Sequence, residues 1–135
     1  TSRGANVAEP PVEGRFAYEG LDRVLHEKAR LGILTSLSTQ PEGLLFNDLR
    51  RLCALTDGNL NRHLEVLQGA GLVEIWKRFE GRRPQTLVRL SVEGRTKFLE
   101  YLAELEKVLH DARKARALER SAGAPPALKA GWNPA

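Results

Sequence analysis

Between Leu21 and Leu37, apolar residues recur at Leu21, Leu25, Ile33, Leu34 and Leu37, spacings that return to one side of a helix, so the pattern predicts a first helix here. Gln40–Pro41–Glu42–Gly43 predicts its end, because proline and glycine both interrupt helices. A short second helix is expected in Phe46–Leu55, with Asn47 or a neighbour as its cap and Leu49, Leu52 and Cys53 facing inward. Thr56 is the best candidate N-cap for a third helix, with Asp57 favourably placed against the helix dipole in the first turn. Leu60, Leu64 and Leu67 define the buried stripe of that helix, and Gly71 its stop. After Gly71 the period changes to two. Val73 and Ile75 share one face, Phe79–Gln85 reads as a loop around Gly81 and Pro84, and Val88 and Leu90 alternate with Arg89, which predicts a β-hairpin.

Ser91 caps a long last helix, expected over about Val92–Ala117. On it Phe98, Leu102, Leu105, Leu109 and Ala112 recur in alternating steps of four and three, and Tyr101 and Val108 widen the stripe. So long a seam exceeds what three short helices and a hairpin can cover, and a second copy of the chain is the expected occupant. The ends lack any period. Residues 1–15 read as a flexible arm, 16–117 as the folded domain, and 118–135 as a flexible tail.

Two short helices joined by a tight turn and followed by a hairpin make a helix-turn-helix with a wing. The fold class is thus mainly α with a small β-hairpin: a winged helix-turn-helix with a long C-terminal dimerisation helix. In such a unit the second helix of the motif enters the DNA major groove with its first residues at the base edges. Gly58, Asn59, Asn61, Arg62 and His63 stand there, crowded at one end of the third helix. Asparagine pairs with adenine at two points and arginine with guanine at two points, while glycine lets a phosphate approach the free N–H groups of the helix start. The hairpin brings Lys77, Arg78, Arg82 and Arg83 against Glu80 alone, a concentration of charge suited to phosphate or minor-groove contact.

Composition narrows the field further. In 135 residues, 21 Lys+Arg against 17 Asp+Glu leave a formal charge of +4, which favours a polyanionic partner and makes the local placement of charge more telling than its sum. Cys53 is the only cysteine, so an intrachain disulfide and a multi-thiolate metal site are excluded, and a reducing cytoplasm is the expected compartment. His26, His63 and His110 fall on three different expected helices without the spacing of a helical zinc motif, so no metal and no cofactor are expected. No apolar run approaches bilayer length, no apolar leader is visible, and no motif suggests an enzyme. Trp76 is expected to pack in the core or at the hairpin hinge rather than stack on bases.

Taken in order, "ARLGIL" at 29–34, "LTDGNLNRHLEVLQGAGLVE" at 55–74, "FEGRRPQT" at 79–86 and "LSVEGR" at 90–95 resemble the small winged-helix transcriptional regulators of bacteria and archaea, near the ArsR and MarR groups. The resemblance covers roughly Leu21–Leu109. It implies a dimeric DNA-binding repressor or activator, with Asn59, Asn61 and Arg62 on the recognition helix and Arg82 and Arg83 in the wing. The chain departs from ArsR-type metal sensors in lacking paired thiols. The expected function is sequence-specific binding of double-stranded DNA as a homodimer at a palindromic site, most simply as a repressor. The alternative is a winged-helix module that meets another protein. A small-molecule effector between the last helix and the core is compatible with this organisation, but no residue cluster names it.

Overall fold

The computed structural model describes residues 10–123, 125 and 127–135. Four helices and a three-stranded antiparallel sheet follow in the order α1 (Lys28–Ser38), β1 (Leu44–Leu45), α2 (Phe46–Leu52), α3 (Asp57–Gly69), β2 (Val73–Glu80), β3 (Arg83–Leu90) and α4 (Val92–Ala122). The sheet order is β1-β3-β2. Leucines of α1, α2 and α3, with Val73, Val88 and Leu90 from the sheet and Phe98 and Tyr101 from α4, form one core.

α1 starts later than its apolar spacing predicts. Asp22 turns the chain first, its Oδ1 accepting from Val24 N at 2.8 Å and its carbonyl from Leu25 N and His26 N. Leu25 is nevertheless buried, so the periodic residues reach the core from a turn followed by a helix. Glu27 then caps α1 by accepting from Arg30 N. α2 also differs: its N-cap is Leu45, without a side-chain bond, and Leu52, expected inside, is the last helical residue and is 64% exposed. Between α2 and α3 the chain reverses through Ala54, which holds a left-handed φ of 53°.

α3 ends as its glycine predicts. Gly71, at φ 77°, donates to the Gln68 carbonyl and Leu72 N to the Leu67 carbonyl, the paired bonds of a Schellman cap. The hairpin that follows is longer than its sequence pattern suggests. Strand pairing runs through Phe79–Pro84 and closes at Glu80–Arg83, leaving Gly81 and Arg82 as a two-residue turn, with Gly81 at φ 64°. Pro84 survives inside β3 because the pair Phe79–Pro84 lies one place from the closing pair, so its missing N–H faces the edge away from β2. The short β1, absent from the pattern, pairs Leu44 with Val88 and Leu45 with Leu87.

α4 runs five residues past its expected end, through Leu118–Ala122, where Leu, Glu, Arg and Ala favour the helix. Along it lies a strap. Arg15, assigned to the arm from sequence, donates to both Asp111 oxygens at 3.0 and 2.9 Å, Tyr18 donates to the same carboxylate at 2.7 Å, and Gly20 N donates to Glu104 Oε2 at 2.9 Å. Residues 1–9 of the expected arm, and Ala124 and Pro126 of the expected tail, lie outside the described residues.

The hydrogen bonds from Arg15 and then Tyr18 hold the Asp111 carboxyl down to about 2 against an ordinary value of 3.8. A depressed carboxyl contributes stability above its unfolded value that disappears as the pH falls through the folded one. The gap in thermal midpoint between wild type and Asp111→Asn is therefore expected to be constant above pH 4 and to shrink between pH 4 and pH 2. Unfolding followed by circular dichroism over that window checks it, and a gap that stays constant throughout removes the Asp111 charge as a support of the strap.

Candidate nucleic-acid interface

α3 is fixed before any ligand arrives. Thr56 Oγ1 accepts from Asn59 N at 3.1 Å, and Leu60, His63, Leu64 and Leu67 are buried. Asp57, a poor neighbour for phosphates, is paired by Arg50 of α2, whose Nε lies 3.1 Å from its carboxylate. That pair neutralises the charge and ties the two helices together.

Successive residues of a helix are about 100° apart, so the buried stripe sets every other direction. Gly58, Arg62, Glu65 and Gly69 point straight out, and all four are exposed. Asn61 and Gln68 occupy the flank toward the wing, where with Lys77 and Thr86 they line a groove of about 620 Å³ floored by Leu64 and Ile75. Asn59 projects from the other flank. The two asparagines therefore cannot read the same base edge. Around Gly58 a side chain would meet nothing within 4 Å, so the start of α3 is open to close approach.

His63 does not belong with this group. The sequence pattern places it at the DNA-facing end, but it is only 7% exposed, three residues after Leu60 and four before Leu67 on the inward stripe. Its Nδ1 is 3.6 Å from Glu27 Oε2, beyond hydrogen-bond reach, and has no other partner among the described residues. Burial pushes the Glu27 carboxyl up, but the backbone N–H groups of Ala29 and Arg30, with the neighbouring His63 and Arg30 side chains, hold it below its usual value.

The wing divides its cations by strand register. Lys77 pairs with Thr86 and faces the groove beside α3. Arg78 is on the opposite face, where its Nε donates to Gln85 Oε1 at 2.8 Å. Arg82 forms the turn and Arg83 follows it; both are exposed. Trp76 corrects another expectation. It is 54% exposed, with Nε1 donating to Glu74 Oε1 and the Arg89 guanidinium 5.4 Å above its ring, so it packs in a polar sandwich on the sheet surface and not in the core. Glu74 is held below the usual carboxylate range by its bonds from Arg89 and Trp76.

Two groove residues, Gln68 and Thr86, escape the sequence analysis. Gln68 could have been found, since it stands two helical turns after Asn61. Thr86 requires the strand register. The seam on α4 is also redistributed. Phe98 and Tyr101 are buried in the chain's own core, where the Tyr101 hydroxyl lies 2.6 Å from His26 Nδ1, so neither is free for a partner. Leu102, Leu105 and Val108 are half-buried, and Leu109 and Ala112 are exposed. Among the described residues no helix is long and apolar enough to cross a membrane, and no group of three or more His, Cys, Asp or Glu could hold a metal.

A helix-turn-helix whose second helix lines a groove with a cationic hairpin defines a winged-helix DNA-binding domain. The chain belongs to the winged helix DNA-binding domain family, whose description matches residues 29–109. It is 38% identical over 60 residues to an uncharacterized protein of Methanocaldococcus jannaschii, MJ0432; the match takes in 44% of this chain and spans 65%, just under two thirds, of that relative. A transcriptional regulator homologue from Pyrococcus horikoshii OT3 superposes with a TM-score of 0.63 at 30% identity, over 67% of this chain and 89% of that one. A MepR–DNA complex of S. aureus shares the fold with a TM-score of 0.60 at 15% identity, over 78% of this chain and 85% of that one. The chain is thus a winged-helix DNA-binding domain, similar to that of an archaeal transcriptional regulator homologue.

Proposed function

We propose that this protein is a homodimeric repressor that reads a palindromic DNA site, with α3 in the major groove and the wing on the adjoining backbone and minor groove. The observation that carries this reading is the groove shared by Asn61 and Gln68 of α3 with Lys77 and Thr86 of the wing, at the open end of a helix that exposes Arg62. Arg62 and Asn61 are the base readers, with Gln68 extending the same flank, and Asn59 contacts the other side of the groove. Gly58 and the free N–H groups of α3 receive a phosphate. Lys77, Arg82 and Arg83 grip the backbone, and Arg78 contributes charge from the outer face. His63 acts only through the packing of α3.

The dimer rests on α4. Leu102 and Leu105 pack partly against the chain's own core, Val108 is half-buried, and Leu109 and Ala112 are exposed, and an apolar stripe left partly open on a helix of 31 residues is covered most simply by its copy. Occupancy of a promoter by such a two-fold clamp is enough for repression, and it places the protein where the DNA is, in the cytoplasm. Selection of bound duplexes from a random pool with the purified protein tests all of this at once. Two inverted half-sites are expected, centred about 34 Å or a multiple apart. Recovery of no enriched sequence, or of a single asymmetric one, would sink the proposal.

A further inference from the structure

Phe79 contributes nothing to the core. It is 73% exposed, it stands outside the core cluster, and it occupies the outermost apolar position of the wing, one residue before the closing pair. Strand alternation puts it on the face of β2 that carries Ile75 and Lys77, the side turned to the α3 groove, and its cross-strand neighbour there is Pro84. Arg82 and Arg83 lie between the two in the chain, after Glu80 and Gly81. The tip thus combines a bare aromatic ring, a rigid proline beside it and two guanidinium groups, on a two-residue turn that fixes their relative positions.

A ring left in water at the end of a charged finger is a liability unless a partner desolvates it. The neighbouring charge says which partner. Lys77 shares its face, Arg82 stands on the turn, and Arg78 and Arg83 carry further positive charge on the other face of the same hairpin against Glu80 alone, so the surface that receives the ring is anionic. A narrow minor groove attracts arginine by its negative potential, and proteins that enter it drive apolar side chains between base steps, unstacking them and bending the duplex. Trp76, the other exposed aromatic of the wing, is unsuited to this, because its ring is covered by Arg89 and its N–H is engaged by Glu74.

We infer that Phe79 is a wedge: flanking each half-site, the wing enters the minor groove, Arg82 and Arg83 hold its walls, and the ring of Phe79, braced by Pro84, opens a base step and kinks the DNA. Pyrimidine–purine steps unstack most easily, so the wedge selects TA or CA/TG at that position without a hydrogen bond to any base. The inference rests on the regulator reading above, and its test separates the two.

The probe is the duplex recovered by selection, carrying a donor and an acceptor dye at its ends and a fluorescent adenine analogue at the flanking step. Anisotropy measures binding, energy transfer measures the bend, and brightening of the analogue measures unstacking. Wild type at saturation is expected to bend the duplex and brighten the analogue. Phe79→Ala loses both and binds about 10-fold more weakly, in line with the loss of one stacked base. Phe79→Leu, still apolar, keeps part of the bend, whereas Arg82→Ala weakens binding yet brightens the analogue once saturated. An unfolding midpoint equal to wild type shows that Phe79→Ala remains folded, as its exposure requires. A wild-type complex that forms without bend or brightening, or a Phe79→Ala complex indistinguishable from it, overturns the wedge and leaves DNA reading intact. Failure of wild type to bind any duplex overturns both.

Discussion

Gly94→Ala is expected to be the most damaging conservative substitution in the chain, lowering stability by about 3 kcal/mol. Gly94 is buried in the first turn of α4, and a Cβ built there would collide with the Leu72 carbonyl oxygen and stand 2.8 Å from its carbonyl carbon. The obstacle is backbone, and it is pinned. Leu72 N donates to the Leu67 carbonyl at the end of α3, and Leu72 O accepts from Ser91 N at 3.1 Å. On the other side Ser91 Oγ donates to the Gly71 carbonyl at 2.6 Å while accepting from Gly94 N at 2.8 Å. Neither partner can retreat without breaking a cap. Alanine's greater helix preference, worth about 1 kcal/mol, is the wrong size to compensate. Gly69→Ala is the matched control, because a Cβ at Gly69 meets nothing within 4 Å; it is expected to be neutral or to gain up to about 1 kcal/mol. Urea unfolding of both variants measures the contrast. A Gly94→Ala midpoint equal to wild type would show that α4 does not need this close approach. The consequence reaches function, since the same junction sets the angle between α4, which would pair the two copies, and α3, which would read DNA.

What could be read from sequence divides by range. Thr56, Ser91 and Gly71 announce helix ends through bonds made within five residues, and Leu60, Leu64 and Leu67 mark a buried stripe because helix geometry alone aligns them. The wing was visible through its change of period. The strap was not, since Arg15 and Asp111 are 96 positions apart and nothing near Arg15 signals a partner. β1 was too short to show a period, and Phe79–Gln85 read as loop because Gly81 and Pro84 suggest one, whereas only a register closing at Glu80–Arg83 extends the strands to the turn. His63 is the instructive miss in the site. Its spacing from Leu60 and Leu67 places it inside while its polarity argues for outside, and the helix geometry prevails, with the Glu27 carboxylate 3.6 Å from its ring. On α4, periodicity identified an apolar seam without saying how its length divides between the chain's own core, which takes Phe98 and Tyr101, and a partner.

Arg62→Ala and Arg82→Ala are expected to weaken DNA binding in different ways, and that difference tests the division of labour between helix and wing. Arg62 projects from the outermost stripe of α3, where in the proposed complex its guanidinium would reach guanine O6 and N7 together; its removal should cost roughly 5- to 150-fold on the selected site and little on random duplex, so specificity falls with affinity. Arg82 sits on the turn of the wing and would meet phosphates or the groove wall, a contact blind to base identity. Its removal should weaken selected and random duplexes alike and lower the magnitude of the slope of log K against log salt by about 0.9, the release of one neutralised phosphate. Titrations of both variants at several salt concentrations on both duplexes give the four numbers needed. Glu65 sharpens the distinction, because a carboxylate on the same outward stripe as Arg62 repels phosphates and tolerates DNA only where a base donor such as the cytosine amine meets it. Glu65→Gln should therefore tighten random duplex more than the selected one. If Arg62→Ala instead shallows the salt slope and costs equally on every sequence, α3 binds as a phosphate clamp, and base reading has to be sought at Asn61 and Gln68 in the groove beside the wing.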